Sequence, residues 1–355
     1  GLLEYKNVYR PVRVVSYDKE SGELVLHNYM DFDDLKDYVK ISYELTQDGL
    51  VISKDILSEF SVVPHGEGKT NLKISVPENG KCYLKLIYHL KKELPLLDED
   101  HILGFDEIEV SKDDAKCKLA EKWMQKTAVD SELQVNENDT QIHIKGREFA
   151  YTIDRRTALF TEMKFAGREY LNHPMELNIW RAPTDNDMYI KAEWKKAHYD
   201  KAYTRAYTTE VVQGKHGVKI VSHASVVAET VQKILDVTIT WKIDASGKID
   251  ADIEATKDGE FPDLPRFGVR MFLDKKLSDA RYFGMGPQES YRDKHQAASH
   301  GLYRANVRDL HEDYIRPQEN GSHYDCEYVE LNNSRYGIVA SAEKAFSFNA
   351  SYYTQ

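Results

Sequence analysis

Three clusters of carboxylates, amides and arginines are the stretches of this sequence that could carry chemistry. The first is residues 178–189 (NIWRAPTDNDMY), where a short apolar run is stiffened by Pro183 and ends in polar side chains. The others are residues 284–293 (GMGPQESYRD) and 314–321 (YIRPQENG), and each joins a proline to a Gln-Glu pair. Amides and carboxylates beside tyrosines and tryptophans suit sugar hydroxyls, which need donors, acceptors and an apolar platform.

The first cluster predicts a strand that delivers a rigid polar loop to the surface. Asp185, Asn186 and Asp187 have short side chains that bond to nearby backbone, so they favour a tight turn or a helix start. Loops held in this way often bind ligands. The structural alternative is a loop braced by a buried pair between Arg181 and an aspartate.

The other two clusters allow a functional and a structural interpretation. In the functional one, Gln288, Glu289, Arg316, Glu319 and Asn320 line or support a sugar site. In the structural one, Arg181 and Arg316 pair with Glu289 or Glu319 and only brace loops. Two carboxylates about 5 Å or about 6.5–9.5 Å apart can hydrolyse glycosides, but spacing in the sequence does not fix which carboxylates approach each other.

Composition excludes several other classes of function. A net charge of −11 argues against nucleic acid or an anionic membrane as partner, and no run approaches the roughly 20 apolar residues of a membrane span. Cys82, Cys117 and Cys326 are too widely spaced for a disulfide framework or a zinc site. They predict buried, unreactive thiols in a reducing compartment, and hence a cytoplasmic location. The pair Gly284-x-Gly286 lacks the third glycine of a dinucleotide loop.

The elements that must position these clusters are predominantly strands. Residues 1–110 hold seven or so short strands with frequent turns, which predicts an immunoglobulin-like β-sandwich. Residues 111–125 are rich in Lys and Asp and predict a linker with a short helix. Residues 126–355 alternate again and predict a large two-sheet sandwich. Its one helical pattern, over residues 191–206, has Asp187 as a candidate cap.

The clusters together resemble the C-terminal part of a LacZ-type β-galactosidase of glycoside hydrolase family 2. The resemblance rests on residues 180–187 (WRAPTDND), 194–199 (WKKAHY), 284–291 (GMGPQESY) and 317–321 (PQENG). Residues 5–13 (YKNVYRPVR) also resemble the exit of that family from its catalytic barrel. The order and spacing of all five segments match, so the resemblance covers essentially the whole chain.

The resemblance implies a fold for this chain and a location for the catalytic residues outside it. Family members carry a jelly roll, a β-sandwich, a TIM barrel, a second β-sandwich and a C-terminal supersandwich like that of galactose mutarotases. This chain would hold the last two, truncated before the tryptophan that forms the sugar platform. The acid/base and nucleophile carboxylates lie on the barrel, so the resemblance implies no catalytic residue in this chain.

The resemblance also implies roles for individual residues. The loop that matches residues 185–195 lies beside the active site, so Asp185, Asn186, Asp187 and Tyr189 are expected to face the sugar pocket. Tyr189 departs from the small residue, often glycine, that is usual there, and this bears on the mobility of the loop. The expected supporting shell consists of Arg181, Gln288, Glu289, Arg316, Glu319 and Asn320.

The function implied is that of a retaining β-galactosidase acting on terminal β-D-galactose in lactose-like substrates. This chain would supply one wall of the pocket and contacts for a homo-oligomer, and it would be inactive without the barrel. No cofactor is expected in the chain, whereas the parent is expected to use Mg and Na at the barrel. Two alternatives stay open: a free-standing carbohydrate-binding module, and a structural interaction module without sugar affinity. A mutarotase, which needs a His and a Glu facing one sugar, is more remote.

Overall fold

The structure is a computed structural model that describes residues 1–125, 133–230 and 232–354. Contacts divide the chain into two units. The first comprises Gly1–Gln125, Ser278–Glu312 and Asn320–Tyr352, and the second the described residues within Lys126–Leu277, Asp313–Glu319 and Tyr353–Gln355. These contact units differ from the domain boundaries expected from the sequence, which stay a prediction. Residues 126–132, the expected start of the second domain, lie outside the described residues.

The first unit begins with a seven-stranded antiparallel sandwich, in agreement with the predicted number of strands. One sheet has the order β1-β2-β5 and the other β4-β3-β6-β7. A helix that the sequence did not suggest, α1 (Leu2–Val8), precedes them, and α2 (Leu35–Tyr38) leads into the second sheet. The strands are β1 (Val12–Tyr17), β2 (Glu23–Asn28), β3 (Val39–Gln47), β4 (Leu50–Ile56), β5 (Glu67–Asn71), β6 (Cys82–Leu90) and β7 (Ile102–Glu109).

Alternation along these strands builds the core of the sandwich. One apolar cluster joins the two sheets. It includes Leu24 and Leu26 of β2, Ile41 of β3, and Leu84 and Leu86 of β6, and all five are fully buried. Burial of each such side chain contributes about 1.5–3 kcal/mol. Residues 72–76, which follow β5, do not form a strand. The apolar side chains at positions 72, 74 and 76 pack against the core, but the Leu72 amide bonds to the Gly22 carbonyl instead of continuing a ladder.

The segment predicted as a linker contains α3 (Lys118–Met124), which packs within the first unit. Ala120 and Cys117 lie in an apolar cluster with Tyr83, Phe283 and Tyr328. The Cys117 amide donates to Glu327 Oε2 at 2.7 Å.

The second unit is built from three antiparallel sheets with the orders β12-β11-β10-β9-β8, β13-β18 and β14-β15-β16-β17. Phe160 and Tyr151 of the first sheet pack edge to face, and Phe160 packs in the same way on Trp241 of the third. These rings lie between two sheets, as expected for a sandwich. The strands are β8 (Gln134–Glu137), β9 (Gln141–Lys145), β10 (Phe149–Asp154), β11 (Leu159–Phe165), β12 (Arg168–Glu169), β13 (Leu171–Asn178), β14 (Tyr203–Gln213), β15 (Gly217–Val227), β16 (Leu235–Asp244), β17 (Ile249–Lys257) and β18 (Gly268–Leu273).

The predicted helix over residues 191–206 is much shorter in the structure. Helix α4 spans Ile190–Lys196, and a 3₁₀ turn, Tyr199–Lys201, follows it. His198 adopts the left-handed region at φ 58°, which ends the helical hydrogen-bond ladder. Residues from Tyr203 onward pair with β15 instead. Asp187 does not cap α4, because it belongs to the preceding 3₁₀ turn, Asp185–Asp187.

The last sheet returns to the first unit with the order β20-β19-β21-β22. Its strands are β19 (Asp279–Gly286), β20 (Ser299–Asn306), β21 (Ser322–Asn332) and β22 (Gly337–Asn349), with a 3₁₀ turn at Val307–Leu310. The all-β class predicted from the sequence is therefore confirmed. All three cysteines are buried and unbonded, also as predicted. Throughout the ranges described, no helix has both the length and the apolar character needed to cross a bilayer.

Candidate functional site

The loop of residues 179–189 leaves the end of β13 through a short turn. The side-chain oxygen of Asn178 accepts the Trp180 amide at 3.0 Å, and its Nδ2 donates to the Trp180 carbonyl at 2.9 Å. Trp180 packs edge to face on Trp194 of α4, with ring centroids 6.4 Å apart. Trp194 is buried and donates its Nε1–H to the Asp263 carbonyl at 2.9 Å. The start of the loop is therefore held in place by the hydrogen bonds of Asn178 and by the packing of Trp180 on Trp194.

Asp187 is the centre of the loop and is buried. Its Oδ1 accepts from Arg181 Nη2 at 2.8 Å, and its Oδ2 accepts from the Thr184 amide at 2.8 Å and the Thr184 hydroxyl at 3.0 Å. Thr184 and Asp187 form a reciprocal capping box around the 3₁₀ turn. Both carboxylate oxygens are thus engaged in holding the loop, as in the structural alternative of an Arg–Asp brace.

The three other residues expected to face the pocket are exposed. Asp185 and Asn186 sit on the outside of the turn, and the side chain of Tyr189 is 82% exposed. Arg316 Nη1 lies 3.4 Å from Asp185 Oδ1, an exposed pair that contributes about 0–1 kcal/mol. Gln318 Oε1 accepts the Asp185 amide at 3.2 Å. The loop thus presents polar groups and one ring on a braced base.

Glu319 provides a second anchor under the same loop. Its carboxylate is buried and forms an ion pair with Arg266. Its amide donates to the Ala182 carbonyl at 3.3 Å. These contacts tie the residues before β18 and the 313–319 segment to the loop, all within the second unit.

The cluster at residues 284–293 is braced in a similar way within the first unit. Glu289 is buried, forms an ion pair with Lys294 and accepts the Gly321 amide at 2.9 Å. Asn320 accepts the Glu312 amide at 3.1 Å through Oδ1. Gln288 is half-buried beside Glu289. Glu289 and Asn320 therefore hold neighbouring loops, and their role as a shell around a sugar site stays a prediction.

The pairing expected in the structural interpretation was wrong in its details. Arg181 pairs with Asp187 and Arg316 with Asp185, and neither pairs with Glu289 or Glu319. Glu289 pairs with Lys294 and Glu319 pairs with Arg266, and the sequence predicted neither pair. Thr184 was also missed, although the spacing Thr-x-x-Asp at the start of a turn is a recognisable capping signal.

The buried carboxylates of the clusters thus have cationic partners and hydrogen-bond donors, which suits bracing more than attack on a substrate. A buried histidine near the last strand, His323, is also structural: burial lowers its pKa to about 4, and its Nδ1 lies 3.0 Å from the Tyr282 hydroxyl. Which residues touch a sugar stays a prediction.

Comparison with known proteins adds independent information. The family model described as "Beta-galactosidase, domain 4" matches residues 24–111, and the model described as "Beta galactosidase small chain" matches residues 145–355. The β-galactosidase of Actinobacillus pleuropneumoniae is 40% identical over 100% of this chain and 34% of its own length. Those of Staphylococcus xylosus and Kluyveromyces lactis are 29% and 26% identical, over 100% and 98% of this chain and 35% and 32% of their own lengths.

The chain thus spans about a third of the length of the curated relatives it matches. The small-chain model alone covers more than half of the chain, and it contains all three polar clusters. On this match, the chain belongs to the β-galactosidase family.

Proposed function

We propose that this chain forms the C-terminal part of a retaining β-galactosidase that cleaves terminal β-D-galactose from lactose-like substrates. The observation that carries the proposal is the family match over residues 145–355, which includes the braced loop at 181–189. In this proposal the chain supplies one wall of the active site and no catalytic residue.

The proposed wall consists of Asp185, Asn186 and Tyr189, held by the contacts of Arg181, Asp187 and Glu319 beneath them. Carboxylate and amide groups can accept from and donate to sugar hydroxyls, and a tyrosine ring can cover an apolar sugar face. A loop that is already ordered costs less entropy on binding than one that must fold around the ligand. The bracing supports a preformed pocket edge.

The catalytic pair in this proposal lies in a barrel outside the chain. A retaining glycosidase needs a nucleophile and an acid/base carboxyl flanking the scissile bond. Asp187, Glu289 and Glu319 already have cationic partners, which supports placing that pair elsewhere. The described part of the chain brings no three metal-ligating side chains together, so the Mg and Na implied for the barrel enter no step proposed here.

Two further parts of the proposal concern assembly and location. Strand β4 is exposed along its whole length, with Leu50 62%, Val51 50% and Ile56 54% exposed. Apolar edge strands of this kind are usually covered, which supports assembly contacts in a homo-oligomer.

Three unbonded cysteines support a cytoplasmic location.

The test uses the full-length protein that carries this chain and a chromogenic β-galactoside. Asp185→Ala and Tyr189→Ala are expected to raise KM roughly five- to tenfold, the loss of about one hydrogen bond or ring contact. Asp252→Ala, which removes an exposed carboxylate of β17, is the matched control and should leave KM unchanged. Unchanged KM in both loop variants would contradict the pocket assignment, and turnover by the purified 355-residue chain would contradict the absence of catalytic residues.

A further inference from the structure

A groove of about 440 Å³ lies in the second unit, where the turn after β10 meets the first half of β14. Its lining consists of Asp139, Arg155, Arg156 and residues 205–209. The Ala206 amide donates to the Arg156 carbonyl at 2.8 Å, which fixes the turn against the strand. The volume falls within the range of about 300–1,000 Å³ that is usual for small-ligand sites. None of these residues belongs to the loop at 181–189, so the groove goes beyond the proposed function.

A β-bulge places an aromatic ring at this groove. The pairing of β14 with β15 shifts between Ala206 and Thr208, which leaves Tyr207 as the extra residue. Bulges of this kind re-aim a side chain relative to the regular pleat. Tyr207 is 58% exposed, and the guanidinium carbon of Arg205 lies 5.7 Å from its ring centroid. An exposed ring beside polar groups can cover the apolar face of a sugar.

The groove also offers both donors and acceptors. Arg205 forms no ion pair with any residue that the structure describes, so its five N–H groups are available to a ligand. The side chain of Arg156 is 76% exposed, although it also holds Asp154 at 2.7 Å. Asp139 adds an exposed carboxylate and Thr208 an exposed hydroxyl. Such mixed groups match hydroxyls that donate and accept at once.

The charges around the groove decide between an anion and a neutral ligand. Arg155 lies 2.5 Å from Glu137, and Arg156 is held by Asp154. Glu137 and Asp154 lie outside the lining but already neutralise these two guanidinium groups, so the charges left for a ligand are those of Arg205 and of Asp139 on the rim. One unpaired positive and one unpaired negative charge give little net attraction for phosphate or sulfate. We propose that this groove is a binding site for a neutral oligosaccharide, with Tyr207 as the platform and Arg205 and Asp139 as its polar contacts.

The test is saturation-transfer NMR on the 355-residue chain with lactose and maltose as probes. Saturable transfer to sugar protons is expected from the unaltered chain. Tyr207→Ala should weaken binding of at least one probe about fivefold or more, since it removes the ring contact. Tyr203→Ala is the matched control: Tyr203 is 50% exposed on the same strand but lies outside the groove lining, so binding should be retained. Circular dichroism melting establishes that both variants fold.

Three results would overturn the proposal. They are no saturable transfer from either sugar, equal affinity in Tyr207→Ala and the unaltered chain, and displacement of the sugar by inorganic phosphate at equal concentration. The outcome is separate from that of the proposed function. A full-length protein without β-galactoside turnover, whose 355-residue chain still binds sugar in a Tyr207-dependent way, would support the groove and contradict the proposed activity.

Discussion

His300 Nδ1 lies 2.6 Å from Glu107 Oε1, which joins strand β20 to strand β7 of the sandwich in the first unit. The other ring nitrogen, Nε2, lies 2.9 Å from Asp325 Oδ2. The imidazole stacks on Tyr83 with centroids 4.2 Å apart. Two segments 193 residues apart are thus held by one nearly buried ring with a carboxylate on each side.

The first prediction is that this bridge makes stability depend on pH in the alkaline range. Burial by itself would lower the pKa of His300, but the hydrogen bonds to Asp325 and Glu107 outweigh it and raise the pKa to about 9. A raised pKa in the folded state gives stability that is fully present below about pH 6.5 and is lost as the pH rises through about 9. The contribution is at most roughly 3 kcal/mol.

Urea unfolding of the 355-residue chain at pH 6, 7.5 and 9.5 measures this effect. His300→Gln should be less stable than the unaltered chain at pH 6 and should converge toward it at pH 9.5. A stability difference that stays constant across the three pH values would show that the charge on His300 does not contribute.

The second prediction concerns the brace beneath the 181–189 loop. Asp187→Ala removes three hydrogen bonds and leaves the guanidinium of Arg181 without its carboxylate, so a cost of about 1.5–3 kcal/mol is expected. Asp185→Ala is the control, because loss of its exposed pair with Arg316 should cost no more than about 1 kcal/mol. Hydrogen exchange of a peptide that spans the loop should speed up in the first variant only. Equal exchange in both variants would mean that Asp187 does not hold the loop.

The third prediction separates two contacts of Glu289. Glu289→Gln keeps an acceptor for the Gly321 amide but removes the charge beside Lys294, whereas Glu289→Ala removes both. The alanine variant should therefore be less stable by about 1–2 kcal/mol than the glutamine variant. The direct readout is exchange of the Gly321 amide, which should stay slow in Glu289→Gln. Fast exchange in both variants would show that the ion pair with Lys294, and not the hydrogen bond from Gly321, protects this amide.

The fourth prediction compares two glycines with the same backbone conformation. Gly49 and Gly167 have φ +81° and +75°, so alanine is strained at both. A Cβ at Gly49 would lie 2.2 Å from the Leu302 backbone nitrogen, whereas nothing lies within 4 Å at Gly167. Gly167→Ala should cost about 1 kcal/mol, and Gly49→Ala about 1–3 kcal/mol more, because its turn must move away from β20. Equal costs in thermal unfolding would show that the hairpin tip is not packed closely.

The all-β class and the polar turn at residues 185–187 can both be predicted from local patterns along the chain. Alternation along residues such as Leu24 and Leu26 reports a buried strand face, because side-chain direction in a strand repeats every two residues. Short polar side chains at 185–187 report a turn, because they bond to their own backbone. Both signals are local, so they could be read without the fold.

The ion pairs and the groove, in contrast, depend on contacts between residues that are distant in the chain. Arg266 and Glu319 are 53 residues apart, and Glu107 and His300 are 193 residues apart. Sequence lists the candidate ions, but contact between them depends on the register of distant strands. The helical pattern after residue 190 failed for the same reason. Pairing with β15 outweighs the local helical preference beyond His198, because helix propensity is weak and contacts with a neighbouring strand can override it.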